Sequence, residues 1–256
     1  MKLYSNKIGD GRPFLILHGF LGMGDNWKTL GKRFADHGYE VHLVDQRNHG
    51  RSPHSKDFSY ALMAEDLKEY CDAYDLSEDL ILLGHSMGGK TAMKFAVKYP
   101  QRVSRLIIAD ISPRYYAPHH KQILNGLTEL QNNEEARTSR SNADDFLAQY
   151  IKDWGTRQFL LKNLYWKKDK KLALRMNLPV LAKAGESIGE GLGNDAVYDG
   201  KTLFLRGSKS DYLKEEDADL IRGHFRESEI VTVPDAGHWL HAENPDFFYQ
   251  EVINFL

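Results

Sequence analysis

The sequence is poor in cysteine: Cys71 is the one thiol among 256 residues, which excludes an intrachain disulfide. Because disulfide bonds are typical of secreted domains, this scarcity favours the cytoplasm. The first residues also lack the apolar stretch of roughly 7–15 residues that marks a signal peptide. No apolar run approaches the ~20 residues needed to cross a bilayer. We therefore expect a cytoplasmic protein without a membrane partner.

The sequence has no marked excess of charge of either sign. Lysine and arginine total 34 against 36 acidic residues, so the net charge is −2 with histidine neutral. This balance calls for neither a nucleic acid nor an anionic membrane as a partner. Hydrophobic residues make up 41% of the chain, enough for a sizeable core. The length allows one or two domains, and it leaves the oligomeric state open.

Short apolar runs recur along the chain, at positions 13–17, 40–44, 80–83, 106–109, 202–205 and 229–233. They are continuous rather than alternating, which is typical of strands buried on both faces of a parallel sheet. Helical stripes of apolar residues separate the first four runs, as in right-handed strand–helix–strand units. The sequence therefore predicts an α/β fold with a mostly parallel central sheet flanked by helices.

Several residues mark where helices begin and end. Gly38 is placed to end the first helix, and Ser59 is a possible N-cap of the second. Asn244 and Pro245 are an N-cap followed by proline at the first helical position, which predicts the start of a last helix.

The series of apolar runs is interrupted between positions 112 and 199. This stretch is helix-prone, charged and rich in aromatic residues, with no convincing buried strand. Its run W-K-K-D-K-K at 166–171 is typical of a solvated surface. We interpret residues 112–199 as a helical cap inserted into one core, which residues 1–111 and 200–256 form together.

A candidate nucleophile lies in the sequence G-H-S-M-G at positions 84–88. The motif G-x-S-x-G is typical of a sharp strand–turn–helix elbow that lifts a serine above a sheet, and it is specific only in that context. Here an apolar run precedes it, and we expect a helix to begin near Lys90. Gly84 and Gly88 leave room for the turn, so Ser86 is the predicted nucleophile. A chance serine in a glycine-rich turn is the alternative.

A serine hydroxyl is a weak nucleophile at neutral pH and needs a base. The chain has eleven histidines, so a lone histidine proves little. His238 has the advantage of position, because it follows the last predicted strand and completes the chain order Ser, Asp, His. His241 is expected on a surface turn.

Acyl transfer also needs hydrogen-bond donors aimed at the developing oxyanion. One donor is expected from the residue after the nucleophile, Met87, and the other from the loop after the first buried strand, at Phe20. The carboxylate that orients the histidine has two candidates at strand ends, Asp110 and Asp211. Either aspartate could instead cap a helix or turn.

Four segments carry a family resemblance: D-Q-R-N-H-G at 45–50, G-H-S-M-G-G-K at 84–90, D-I-S-P at 110–113 and A-G-H-W at 236–239. The chain resembles the α/β-hydrolase superfamily over nearly its whole length. Within it, the chain is similar to the small bacterial esterases called YbfF and to related mitochondrial abhydrolase-domain hydrolases. The resemblance implies the α/β-hydrolase fold and Asp110 as the acid. The wider superfamily more often has its acid after the following strand, so Asp211 remains a rival.

These residues predict a serine hydrolase that cleaves carboxylic esters of small or medium acyl chains through an acyl-enzyme. The reaction requires no metal or organic cofactor, and its partner is a small-molecule ester. Residues His18, Tyr116, Trp154 and Trp239 are expected to line the substrate pocket. An acyl thioesterase or lactonase would use the same triad, and a ligand receptor on a hydrolase scaffold is the alternative from another class.

Overall fold

The apolar runs of the sequence become the strands of one sheet. A computed structural model describes residues 1–76 and 78–256. Strands in these residues are β1 Ser5–Ile8, β2 Arg12–Leu17, β3 Tyr39–Val44, β4 Leu80–His85, β5 Val103–Ala109, β6 Leu164–Trp166, β7 Leu172–Leu174, β8 Thr202–Gly207 and β9 Ser228–Val233. The main sheet has seven strands in the order β1-β3-β2-β4-β5-β8-β9. Every neighbouring pair is parallel except β1 with β3, which confirms the mostly parallel sheet.

Helices connect and cover these strands. In the described residues they are α1 Lys28–Asp36, α2 Tyr60–Ala73, α3 Met87–Lys98, α4 Lys121–Asn132, α5 Arg140–Leu147, α6 Trp154–Leu161, α7 Leu178–Leu181, α8 Gly185–Gly189, α9 Ala218–His224, α10 Leu240–Glu243 and α11 Pro245–Phe255. None of the helices in that part of the chain is long and apolar enough to span a bilayer.

The predicted helix boundaries are confirmed at three places. Ser59 accepts a hydrogen bond from the third residue of α2, Asn244 caps α11 ahead of Pro245, and Gly38 has a φ of 92° just after α1. Only glycine adopts such a φ at little steric cost. The predicted start of α3 near Lys90 is wrong, since the helix begins at Met87 and includes both following glycines.

The two faces of the sheet pack against different helices. Because side chains alternate along a strand, Leu80 and Leu82 of β4 join a core with α2, α3 and α9. Ile81 and Leu83 face the other way and join a core with α1 and α11. This three-layer arrangement buries β4 completely and fixes the position of the turn that follows it.

Helices α4 to α8 and the antiparallel pair β6–β7 lie between β5 and β8 in the chain, within residues 112–199. Their own apolar core includes Phe20, Leu21 and Met87 from the sheet side. The prediction of no convincing buried strand within 112–199 did not include this hairpin, whose turn is the lysine-rich run and whose strands have one buried residue each. Its strands are three residues each, too short for a periodic pattern.

Candidate active site

Ser86 occupies a strained turn between β4 and α3. Its φ of 52° and ψ of −116° lie outside the regions that side chains favour, which costs on the order of 1–3 kcal/mol. Close packing holds the turn. A Cβ at Gly84 would lie 2.2 Å from the Gly88 carbonyl oxygen, and one at Gly88 would lie 2.3 Å from the Leu17 carbonyl oxygen. The sequence therefore needs glycine at both positions to bring Ser86 above the sheet.

The structure brings Ser86, His238 and Asp110 together from three separate loops. The Ser86 hydroxyl lies 3.0 Å from Nε2 of His238, and Nδ1 of that ring lies 2.7 Å from Oδ2 of Asp110. A ring that donates from Nδ1 leaves Nε2 as the acceptor that faces the serine. This is the arrangement in which an imidazole can take a serine proton while a carboxylate orients it.

Asp110 is buried at the end of β5, with a φ of 49°. Its Oδ1 accepts a hydrogen bond from the Gly207 amide at 3.0 Å, and its Oδ2 accepts one from the Ser210 hydroxyl as well as from His238. The rival Asp211 has a side chain that is 95% exposed and pairs with Lys214 at 3.6 Å. In the loop after β8, Ser210 rather than Asp211 contacts the carboxylate of Asp110.

Two further residues hold the His238 ring and its backbone. The phenol ring of Tyr212 stacks on the imidazole with centroids 3.7 Å apart and planes 17° apart. Nε2 of His85 donates to the His238 carbonyl oxygen at 2.8 Å. Burial lowers the pKa of His85 well below its usual value, so the ring is neutral. Sequence reasoning missed both residues, although His85 stands inside the motif G-H-S-M-G.

Two backbone amides beside the serine have no acceptor in the described part of the protein. They belong to Phe20 and Met87. Met87 is the first residue of α3, so its amide has no partner within the helix. The neighbouring amide of Leu21 is already bonded to a buried imidazole. A Cβ at Gly19 would lie 3.4 Å from Cβ of Ser86, so this loop passes directly beside the serine.

Buried histidines fix the conformation of this loop. Nδ1 of His18 donates to the Gly19 carbonyl at 2.8 Å, and its Nε2 accepts from the Gln46 amide at 3.1 Å. Nε2 of His49 accepts from the Leu21 amide at 3.2 Å. Burial lowers the pKa of His18 to about 4 and that of His49 to about 3, so both rings are neutral acceptors. The structure therefore assigns His18 to the loop support rather than to the pocket lining.

Two adjoining pockets at Ser86 share part of their walls, and we call them the wide arm and the narrow arm. Phe20, His119, His120 and Tyr212 line both of them. The wide arm, of about 250 Å³, is lined in addition by Leu21, Ile123, Phe159, Leu160, His238 and Trp239. The narrow arm, of about 20 Å³, is lined in addition by Tyr60, Met87, Ile111, Tyr116, Ile188 and Gly189. The predicted pocket residues Trp239 and Tyr116 thus lie in different arms.

Two aromatic predictions fail. Trp154 is 66% exposed at the start of α6 and does not line the cavity; Phe159 and Leu160, further along that helix, do. His241 is not on a surface turn but buried, and its ring stacks on Trp27 at 4.0 Å. For Trp154, its position in the first turn of α6 places the side chain away from the core.

A parallel sheet with a serine elbow, an imidazole and a buried carboxylate at its carboxyl edge defines an α/β hydrolase. The family model described as "alpha/beta hydrolase fold" matches residues 12–127. The chain is 38% identical over 247 residues to a mouse (Mus musculus) protein named sn-1-specific diacylglycerol lipase ABHD11, covering 94% of this chain and 80% of that protein. It is 30% identical over 248 residues to esterase YbfF of Escherichia coli, covering 95% and 92% of the two chains.

A solved structure named "Marine microorganism esterase" matches over the whole of both chains, with 40% identity and a TM-score of 0.94. A second, the E-2-(acetamidomethylene)succinate hydrolase, is 20% identical with a TM-score of 0.77 over 99% of both chains, and it supports the fold alone. The chain therefore belongs to the α/β-hydrolase superfamily and is close to the YbfF-type esterases, as its motifs predicted.

Proposed function

We propose that this protein is a carboxylic ester hydrolase that acts through an acyl-enzyme on Ser86. The observation that carries the proposal is the continuous set of contacts from the Ser86 hydroxyl through His238 to buried Asp110. The relatives named esterase, from Escherichia coli and in the solved structure, support esters as the substrate class.

In the first half of the reaction, Oγ of Ser86 attacks the ester carbonyl carbon while Nε2 of His238 takes the hydroxyl proton. The carbonyl oxygen becomes an oxyanion, and the amides of Phe20 and Met87 donate to it. The C–O bond to the alcohol then breaks, and His238 returns the proton to the departing alcohol oxygen. Asp110 stabilises the imidazolium that forms in between.

In the second half, water takes the place of the alcohol. His238 removes a proton from the water, which attacks the acyl carbon, and the same two amides hold the second oxyanion. The bond to Oγ breaks, the acid departs, and Ser86 regains its proton. The chain's own groups handle every proton in this scheme, so we propose no cofactor.

We propose small or medium acyl chains for the substrate. Both arms of the site, at about 250 Å³ and about 20 Å³, are smaller than the roughly 300–1,000 Å³ typical of pockets that enclose drug-sized ligands. The relatives named sn-1-specific diacylglycerol lipase favour a second candidate, a diacylglycerol. A panel of short-chain and long-chain esters and acyl thioesters separates these candidates.

We propose that residues 112–199 act as the cap over this site. Support comes from the cavity walls, since Ile123, Phe159 and Ile188 all come from this stretch. Wall residues outside this stretch come from residues 1–111 and 200–256. The cap then encloses the acyl-enzyme and excludes bulk water from the oxyanion.

Turnover of p-nitrophenyl acetate and butyrate by wild type and Ser86→Ala tests the proposed function. Loss of the nucleophile is expected to lower kcat by at least about 10³-fold. One slow turnover that leaves the ligand bound would instead indicate a receptor. A protein that a fluorophosphonate probe does not label at Ser86 would contradict both.

A further inference from the structure

We infer that the acyl chain of the ester occupies the narrow arm and the alcohol occupies the wide arm. The enzyme then selects esters by the shortness of the acyl chain and accepts large apolar alcohols. This inference rests on the proposed ester hydrolysis at Ser86 and adds which half of the substrate is discriminated.

The position of the base decides the alcohol side. The departing alcohol oxygen must receive its proton from Nε2 of His238, the nitrogen that lies 3.0 Å from the Ser86 hydroxyl. General acid catalysis requires the alcohol oxygen and Nε2 of His238 to lie within hydrogen-bond reach of each other, about 2.6–3.2 Å. His238 lines the wide arm and is not part of the narrow one. The group attached to that oxygen therefore extends into the wide arm.

The acyl side follows from the remaining directions at the tetrahedral carbon. One bond goes to Oγ of Ser86, one goes to the oxyanion that faces the amides of Phe20 and Met87, and one goes to the alcohol oxygen. The fourth bond carries the acyl chain. Met87 lines the narrow arm alone, and Ser86 lines both arms. The narrow arm is therefore the direction left for the acyl chain.

The narrow arm is too small for a long chain. At about 20 Å³ it has room for roughly one water molecule, which suits the methyl or ethyl end of an acetyl or propionyl group. Each further methylene in a full apolar pocket changes specificity by about 10–200-fold. A steep loss of rate with acyl length is therefore expected.

Hydrogen bonds hold the walls of the narrow arm in place. The Tyr60 hydroxyl donates to the Ile188 carbonyl at 2.8 Å, and the Tyr116 amide donates to the Gly189 carbonyl at 2.9 Å. A Cβ at Gly189 would lie 1.9 Å from the Tyr116 carbonyl oxygen, so the two segments are in direct contact. A long acyl chain would have to widen this arm, which would break the contacts of α8 with Tyr60 and Tyr116.

The wide arm suits an alcohol with an apolar body. Phe159 and Trp239 lie with ring centroids 4.2 Å apart, and buried Leu21 and Leu160 complete the wall. Aromatic rings and aliphatic side chains of this kind favour aryl or alkyl groups. Alcohol size is therefore expected to have a small or favourable effect on the rate.

Two ester series test the assignment. The first varies the acyl chain of p-nitrophenyl esters from acetate through butyrate and hexanoate to octanoate. The second keeps acetate and varies the alcohol from methanol through butanol and hexanol to benzyl alcohol. In wild type, kcat/KM is expected to fall at least tenfold from acetate to octanoate, and to stay level within about threefold or rise in the second series.

A matched pair of variants removes one side chain from each arm. Ile188→Ala, in the narrow arm, is expected to raise the hexanoate-to-acetate ratio of kcat/KM by about tenfold or more. Phe159→Ala, in the wide arm, is expected to leave that ratio within about twofold and to change the benzyl-to-methyl ratio of the acetates. Deacylation rates, which depend on the acyl group alone, should respond to Ile188→Ala and not to Phe159→Ala.

The reverse pattern overturns the inference: octanoate as good as acetate in wild type, or an acyl preference that follows Phe159→Ala. The wild-type series decides the question by itself if Ile188→Ala does not fold. If no ester of either series shows turnover that depends on Ser86, the proposed function is contradicted, and the inference is contradicted as well.

Discussion

Replacing Asp110 by asparagine should reveal which aspartate completes the triad. The carboxylate accepts from Nδ1 of His238 at 2.7 Å and from the Gly207 amide at 3.0 Å. An asparagine can keep the contact with the Gly207 amide, but its NH₂ then faces Nδ1 of His238. Because Nδ1 must accept from this group, the imidazole proton moves to Nε2. That tautomer cannot take the proton of Ser86. The expected loss in kcat is about 10³–10⁴-fold, or about 4–5.5 kcal/mol of barrier.

Asp211→Asn is the matched control. Its carboxylate is exposed and pairs with Lys214, and exposed pairs of this kind contribute about 0–1 kcal/mol, so kcat should stay within about twofold. Steady-state hydrolysis of p-nitrophenyl acetate, with thermal unfolding to show that both variants fold, gives the comparison. A loss of less than tenfold in Asp110→Asn, or the larger loss in Asp211→Asn, would refute the assignment.

Three further outcomes are expected. Tyr212→Ala removes the ring stacked on His238 and should lower kcat about tenfold, since an aromatic pair contributes about 0.5–1.5 kcal/mol, whereas Tyr212→Phe should restore most of it. Burial lowers the pKa of His241 to about 3 from 6.5, so the unfolded chain binds a proton first and stability is lost as pH falls below about 6.5. In urea unfolding between pH 7 and 4, the free energy of unfolding of His241→Phe should decline less steeply with falling pH than that of wild type. An unchanged slope would contradict this. Gly88→Ala should prevent folding or lower the melting temperature sharply, because its Cβ would meet backbone oxygen, while Gly223→Ala, with open space around it, should be neutral or stabilising by up to about 1 kcal/mol.

The sequence predicted those parts of the fold that depend on local pattern. Continuous apolar runs identified six strands of the main sheet, but not the short polar edge strand β1 or the three-residue strands β6 and β7. The elbow and its flanking strand were predictable because Gly84 and Gly88 have a local steric function at fixed spacing from Ser86.

The rest of the site depends on contacts between distant segments. Tyr212 stacks on His238 although the two residues lie in loops that follow different strands, β8 and β9, and no local pattern marks Tyr212. His241 was expected at the surface because its stacking partner, Trp27, is more than 200 positions away in the chain. The choice between Asp110 and Asp211 likewise needed the three-dimensional positions of the two carboxylates.

Catalysis by Ser86 with an oxyanion held by Phe20 and Met87 is tested most directly by a crystal structure of the protein after reaction with a small alkylphosphonate ester. We predict phosphorus bonded to Oγ of Ser86 and a phosphoryl oxygen about 2.7–3.1 Å from the amide nitrogens of both Phe20 and Met87. Nε2 of His238 should lie within hydrogen-bond reach of the same centre. Phosphorus attached to another residue, or a phosphoryl oxygen turned away from both amides, would contradict it.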